Sequence, residues 1–305
     1  MSKKFQNYII AIVGPTAIGK TALSIKLAQH FNSEIISADS RQFFKEMAIG
    51  TAVPSDEELK AASHHFIQHK SVKEPFNVGD FERDAISKIE ELHQNNPTVI
   101  IVGGSGLYVK AVTMGLDYFP DVDPTIRTTL NLQLESEGLL PLQEQLQSLD
   151  QEAYNSIAID NPKRVIRALE ICIGTGKPYS SFLTNSEKDR GFKTIQIGLN
   201  ADRSIIYDRI NQRVDIMIAN GLLKEAKALL PYKSLNALNT VGYKELFAYF
   251  EGEFTLEFAI SEIKKNTRRF AKRQLTWFRK DESITWFDYE TDVEDILNYI
   301  HTQIE

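Results

Sequence analysis

The chain opens with an unbroken apolar run, Tyr8-Ile-Ile-Ala-Ile-Val13, that stops at Gly14-Pro15. Such runs, rich in β-branched residues, mark strands buried on both faces. Two more follow: Glu34-Ile-Ile-Ser-Ala38, ending at Asp39, and Thr98-Val-Ile-Ile-Val102, ending at Gly103-Gly104. Between them the apolar positions change period. Leu23, Leu27 and Phe31 share one side of a helix after Thr21, and Phe81, Ala85, Ile89 and Leu92 share one side of a helix that starts at Asn77-x-x-Asp80. Strand, helix, strand, helix, strand predicts right-handed crossovers and a parallel sheet. Ligands of such sheets sit beyond the carboxyl ends of the strands. The segments Gly14–Thr21, the stretch from Asp39, and Gly103–Tyr108 are therefore expected on one edge.

From about Leu116 strand signals vanish until Lys193. Helices are predicted over Pro124–Leu134, Leu140–Leu149 and Pro162–Ile173, the last with Asn161 as cap and Pro162 at the first helical position. Thr194–Leu199 returns to strand, Arg203–Asn220 and Ser261–Lys280 read as helices, and Ile284–Phe287 as a closing strand. The expected fold class is α/β: a P-loop NTPase-like parallel core, 1–116 and 191–305, carrying a helical insertion, 117–190.

Composition changes this picture little. The single cysteine, Cys172, forbids an internal disulfide, fits a reducing compartment and is expected to pack inside its helix. No apolar run near the start is long enough for a membrane span or a secretory core, so a cytoplasmic protein without membrane attachment is expected. Charge matters through its distribution. The net charge is -6, which argues weakly against a nucleic-acid partner, yet Lys264, Lys265, Arg268, Arg269, Lys272, Arg273, Arg279 and Lys280 run together with no acid among them. Phe270, Leu275, Trp277 and Phe278 within that run suggest that one side packs and the other faces out. Lys163, Arg164 and Arg167 form a smaller basic cluster.

The candidate chemistry begins at the first sheet edge. Gly14, Gly19, Lys20 and Thr21 have the spacing of a phosphate-binding loop between a strand and a helix. Backbone N–H groups of such a loop surround phosphate oxygens, the helix N-terminus adds positive potential, the lysine adds a full charge, and the hydroxyl can ligate Mg²⁺. The loop type also serves ATP. Kinases and ATPases, however, usually end a buried strand in a carboxylate that holds the metal. Here Thr98–Val102 runs into glycines, and the carboxylate on this edge is Asp39. Asp39 can be a base, a metal ligand or a turn cap. His64-His65 lacks the spaced thiols or acids of a metal site and is read as structural. Phe43-Phe44 is either core or the border of an apolar pocket.

Seven segments, in order, carry a resemblance: Gly14-Pro-Thr-Ala-Ile-Gly-Lys-Thr21, Ser37-Ala-Asp-Ser-Arg-Gln42, Ile49-Gly-Thr-Ala52, Gly103-Gly-Ser-Gly-Leu-Tyr108, Pro162-Lys-Arg-Val-Ile-Arg-Ala-Leu-Glu170, Val241-Gly-Tyr-Lys-Glu-Leu246 and Lys272-Arg-Gln-Leu-Thr-Trp-Phe-Arg279. From about residue 8 to 280 the chain resembles the bacterial tRNA dimethylallyltransferases. Departures are small: Ile18 where the family often has Ser, Val53 where Lys is usual, Ser105 for Thr, and Asn161 for Asp.

The resemblance implies transfer of a dimethylallyl group from dimethylallyl diphosphate to the exocyclic amine of the adenosine 3′ to the anticodon, with Mg²⁺ leaving alongside the diphosphate. It implies that Gly14, Pro15, Thr16, Ala17, Ile18, Gly19, Lys20 and Thr21 hold the diphosphate, with Thr21 toward Mg²⁺. Asp39 matches the general base, Thr16 a residue near the bridging oxygen, and Arg213 an arginine that clamps the diphosphate. Contacts to the tRNA anticodon stem-loop carry over onto Asp39, Ser40, Arg41, Gln42, Ser105, Arg127, Lys163, Arg164, Val165, Ile166 and Arg167. They continue on Asn239, Thr240, Val241, Gly242, Tyr243 and Lys244, and on Lys272, Arg273, Gln274, Leu275, Thr276, Trp277, Phe278 and Arg279. A monomer is expected. The rival classes are a small-molecule or nucleotide kinase and a non-catalytic RNA-binding protein that keeps the loop as scaffold.

Overall fold

The computed structural model describes residues 6–184 and 188–304. By backbone packing the chain divides into two units, Met1–Met114 with Asp189–Glu305, and Gly115–Lys188. The first unit holds six strands: β1 (Tyr8–Val13), β2 (Ile35–Ser37), β3 (His64–His65), β4 (Thr98–Val102), β5 (Lys193–Asn200) and β6 (Ile284–Asp288). They form one sheet of order β3-β2-β4-β1-β5-β6, and every pairing is parallel.

The unbroken apolar runs have the cause the pattern implied. Ile9, Ala11 and Val13 of β1 sink into one core layer, while Tyr8, Ile10 and Ile12 sink into the other. Residue partners follow the same alternation, Ile10 lying opposite Ile100 and Ile195. Each isoleucine buried this way contributes about 1.5–3 kcal/mol relative to exposure.

Helices supply both layers. In chain order, α1 (Lys20–His30) follows the phosphate loop, α2 (Asp56–Ala61) and α3 (Val78–Leu92) each open on a capping box, and α4 (Gly106–Thr113) follows β4. The second unit carries α5 (Pro124–Glu137), α6 (Leu140–Leu149), α7 (Gln151–Ser156) and α8 (Pro162–Thr175). The chain returns through β5 to α9 (Arg203–Ala219), α10 (Leu222–Leu229), α11 (Tyr243–Phe250), α12 (Leu256–Phe278) and α13 (Val293–Gln303). Residues of α1 and α13 pack on one face of the sheet; those of α3, α4, α10 and α11 pack on the other, and α9 and α12 contribute to both. Among the described residues no helix is long and apolar enough to cross a membrane.

The second unit has its own core of Leu130, Leu142, Leu146, Ala153, Val165, Leu169 and Cys172. Asp150 is buried there but satisfied: it accepts from Ala153 N at 2.9 Å, Ser180 N at 2.7 Å and Ser180 Oγ at 2.9 Å. Asn161 caps α8 as expected, and Gly176 ends it in the left-handed region.

Several expectations need correction. The pair His64-His65 is a two-residue edge strand, which a polar dipeptide does not announce. Helix α12 starts at Leu256, before the expected Ser261, because Thr255 caps it by accepting from Phe258 N at 3.2 Å. Phe270 and Trp277 do not pack inward; they are 39% and 43% exposed, and Ala271, Gln274 and Phe278 take the inward positions instead. Phe43 and Phe44 are both buried core residues, not pocket lining.

Phe43 belongs to an aromatic cluster that encloses His69, with ring centroids at 5.5 Å from Phe43, 5.4 Å from Phe66 and 5.1 Å from Phe76. Neither His69 ring nitrogen has a hydrogen-bond partner among the described residues. Burial lowers its pKa, and burial likewise lowers those of His64 and His93. The unfolded chain therefore binds more protons just below about pH 6.5, the unperturbed value. Stability is fully present above that pH and is lost as pH falls toward the depressed folded values. The melting temperature should drop between pH 7 and 5, before carboxylates titrate. His69→Phe should flatten that limb; an unchanged slope would assign the acid sensitivity elsewhere.

Candidate active site

The phosphate loop sits between β1 and α1, as its spacing required. Gly19 has φ 111°, a left-handed geometry that favours glycine, and it starts α1. Ala17 has φ 65°, uncommon for a residue with a side chain. Its carbonyl is held by Arg209 Nε at 2.7 Å. Lys20 lies back across the loop and donates from Nζ to Pro15 O at 2.7 Å. The Ile18 side chain is 2% exposed and belongs to the core, so only its backbone is free to serve the loop.

Two other strand ends and helix α9 meet this loop. After β2, Asp39 Oδ1 accepts from Arg41 N at 3.0 Å, closing a tight turn. After β4, Ser105 Oγ accepts from Ser40 N at 3.1 Å and donates to Ser40 Oγ at 3.1 Å, which ties the two strand ends together. From α9, Arg213 Nη1 donates to Thr16 Oγ1 at 3.4 Å. Arg209 and Arg213, one helical turn apart, thus both face the loop.

The electrostatics of this cluster are coupled. Burial pushes the Lys20 ammonium down to about 8; the Asp39 carboxylate opposes the shift and Arg213 adds to it. Arg213 is also lowered by burial, again against the pull of Asp39. Two partly desolvated cations and one carboxylate share a site where an anionic ligand would relieve the cations.

A cavity of about 980 Å³ opens from this cluster. Its polar end is lined by Thr16, Asp39, Ser40, Arg41, Ser105 and Arg213. Ile210, Val214, Met217, Leu222, Ile263 and Phe270 make an apolar wall. Asn239, Thr240, Val241, Gly242, Lys244, Arg273 and Trp277 line it too. A second groove of about 410 Å³ continues from Arg273 and Trp277 along Arg269, Lys272, Thr276 and Lys280. The part of the basic run from Arg269 to Lys280 is therefore a surface rim that joins the cavity, while Lys264 and Lys265 pair with Asp215 and Glu262.

Not every expected tRNA contact is placed to make one. Val165 and Ile166 lie in the core of the second unit, and Phe278 and Tyr243 in that of the first, so their side chains are structural. Tyr243 instead donates from its hydroxyl to Glu225 Oε1 at 2.7 Å. That Glu225 carboxylate also accepts from the backbone of Ala48 at 3.0 Å, Ile49 at 2.8 Å and Gly50 at 2.9 Å, holding a loop of the cavity wall. Leu275 packs against the core layer, and Gln274 is buried. Gln42 reaches Thr51 O at 3.2 Å and Ala52 O at 2.9 Å, a further strap on the same loop. Arg41 Nη1 is engaged by the carbonyls of Asn236 and Ala237, each at 3.0 Å.

In the second unit, Arg127 and Arg167 share one carboxylate. Glu170 Oε2 lies 2.6 Å from Arg127 Nη2 and 2.9 Å from Arg167 Nη1. The Arg167 guanidinium also lies 5.3 Å from the Phe119 ring centroid. Two half-exposed guanidiniums are held by a buried acid. Arg209, Glu225 and Glu170 were missed from the sequence; Arg209, spaced i,i+4 from Arg213, and Glu170, spaced i,i+3 from Arg167, left usable signals.

A family model described as IPP transferase matches residues 42–281. The chain belongs to the IPP transferase family. It is 63% identical over 298 residues to a tRNA dimethylallyltransferase of Christiangramia forsetii, covering 98% of this chain and 99% of that one. It is 62% identical over 300 residues to one of Flavobacterium johnsoniae, covering 96% and 97%. A crystal structure of the tRNA isopentenylpyrophosphate transferase of Bacillus halodurans aligns with a TM-score of 0.73 at 40% identity, covering 98% of this chain and 97% of that one. A eukaryotic dimethylallyltransferase acting on tRNA aligns at 0.79 and 28% identity, covering 97% and 77%. Membership accounts for the seven segments, and the mixed α/β fold with its parallel sheet is shared.

A lysine held near pH 8 makes anion binding pH-dependent. Only the charged form attracts an anion, so affinity for a diphosphate should be full below about 8 and fall as pH rises through it. Titration calorimetry with a prenyl diphosphate should show this, and Lys20→Arg, charged throughout, should remove the inflection. Parallel profiles for both proteins would exclude Lys20 as the titrating group.

Proposed function

We propose that this chain is a tRNA dimethylallyltransferase, which transfers the dimethylallyl group of dimethylallyl diphosphate to the exocyclic amine of the adenosine 3′ to the anticodon. One observation carries the reading. A single cavity joins a phosphate-loop residue, Thr16, and Arg213 to Asp39, to an apolar wall, and to a basic rim on α12. A five-carbon prenyl diphosphate needs the first three features, and an RNA acceptor needs the last.

In this reading the C–O bond to the diphosphate breaks as the N–C bond to the amine forms. Charge grows on the leaving oxygen, where Arg213, the Thr16 hydroxyl and Lys20 stabilise it. Asp39 accepts the proton that the amine loses, and a positioned base typically contributes about 10²–10⁴-fold. Its carboxylate keeps one oxygen on the Arg41 N–H, which orients the other.

The donor set suits Mg²⁺ in kind. Thr21 offers a hard hydroxyl oxygen, and among the described residues no cluster of three or more His, Cys, Asp or Glu competes for a softer metal. Mg²⁺ commonly relies on few protein ligands plus substrate phosphates. Bound here through Thr21, it would neutralise the departing diphosphate.

The tRNA anticodon stem-loop is taken to lie on the α12 rim and on the basic residues Arg127, Lys163, Arg164 and Arg167 of the second unit, with the enzyme acting as a cytoplasmic monomer. A kinase reading is weaker. It needs a metal-holding carboxylate where β4 ends, and β4 ends in Gly103-Gly104.

Label transfer from dimethylallyl diphosphate into unmodified tRNA, with Mg²⁺, tests the whole reading; no label in RNA would overturn it. Asp39→Asn keeps the side-chain size but cannot take the proton, so turnover should fall by about 10²-fold or more with tRNA affinity nearly intact. Rescue of that variant by high Mg²⁺ would reassign Asp39 as a metal ligand. Charge removal at Lys272 and Arg273 should weaken tRNA binding and reduce the salt slope by about one unit per lost phosphate contact. A salt slope equal to wild type would make the rim an ordinary solvated face.

A further inference from the structure

Gln274 lies within the α12 segment expected to touch tRNA, yet it points the other way. It is 6% exposed, while Lys272, Arg273, Thr276 and Trp277 around it are exposed. Both ends of its carboxamide are used at the donor site. Oε1 accepts from Thr16 N at 2.9 Å, and Nε2 donates to Gly104 O at 2.9 Å. Thr16 is the loop residue whose hydroxyl meets Arg213, and Gly104 follows β4. One side chain of α12 thus pins two strand-end segments together.

The surroundings are shaped for this carboxamide. A Cβ at residue 104 would lie 2.3 Å from Gln274 Nε2, so only glycine leaves the amide its place. With its N–H given to Gln274, Thr16 has a fixed backbone direction, and its hydroxyl is aimed into the cavity beside Arg213. An apolar side chain at 274 would leave Thr16 N and Gly104 O without these partners.

We infer that Gln274 is a positioning residue of the diphosphate site, setting Thr16 through its backbone and linking the RNA-facing helix to the departing oxygen. This rests on the reading that the loop holds a prenyl diphosphate. Gln274 borders the same cavity, but both ends of its carboxamide are already given to Thr16 N and Gly104 O.

The test separates the two jobs assigned to this segment. Gln274→Leu removes both hydrogen bonds, and Gly104→Ala displaces the carboxamide without altering α12. For each variant, kcat, KM for dimethylallyl diphosphate, tRNA affinity with its salt slope, binding of inorganic diphosphate and the melting curve are measured. A small displacement of a reacting group costs on the order of 10²-fold, so kcat should fall by about 10- to 100-fold in both variants. Diphosphate binding should weaken, while tRNA affinity and its salt slope stay at wild-type values in the folded protein. Reduced tRNA affinity with unchanged kcat and diphosphate binding would make Gln274 an RNA contact and overturn the inference. If wild type moves no dimethylallyl group into tRNA, the functional reading fails separately, and diphosphate binding by the two variants still decides the positioning role. Should Gln274→Leu not fold, Gly104→Ala carries the same comparison.

Discussion

A parallel sheet covered by helices on both faces leaves one place for polar chemistry, the edge where the strands end. In this chain β1, β2 and β4 are apolar through almost their whole length because each face is core. Lys20, Asp39 and Ser105 cannot be accommodated between the layers, so they appear just where the runs stop. Parallel pairing then brings those stops together. Residues far apart in sequence, such as Thr16, Ser40, Ser105 and Gln274, come within hydrogen-bond reach at that edge. The site follows from the burial constraint before any catalytic requirement is imposed.

Gathering charge at such an edge is costly unless the charges answer one another. Lys20 and Arg213 are both pushed down by burial, and Asp39 pulls both back. Desolvated ions of this kind are stabilised by partners or by a change of protonation. A diphosphate arriving there would supply the missing anionic charge and draw the Lys20 pKa back up. The carboxylate that steadies the cations is the one assigned the proton in the proposed reaction, and a bound anion would relieve it of part of its first duty.

Much of this was legible in advance, for a definite reason. Strands β1 and β4 read clearly because a doubly buried strand leaves a nearly unbroken apolar run, and Asn77 and Asn161 read as caps because orphan N–H groups select such residues. Strand β3 was not legible: His64-His65 lies at the sheet edge, where pairing needs only backbone. Phe43 and Phe44 were ambiguous because an aromatic pair after a strand serves a core and a pocket equally well. Glu225 was invisible for a different reason. Its role depends on partners such as Ala48 that no local pattern connects to it.

The α12 segment shows how a linear motif can merge separate roles. Lys272-Arg-Gln-Leu-Thr-Trp-Phe-Arg279 reads as one recognition stretch, but a helix turns every 3.6 residues. Lys272, Arg273 and Thr276 therefore face outward, and Ala271, Gln274 and Phe278 face in. Gln274 is a polar residue on the apolar side, tolerated because Thr16 N and Gly104 O satisfy it. An apolar residue there would pack as well and would leave those groups unpaired. A buried amide at this position is thus best explained by the loop it holds, and the helix that carries the basic rim is mechanically continuous with Thr16 of the phosphate loop.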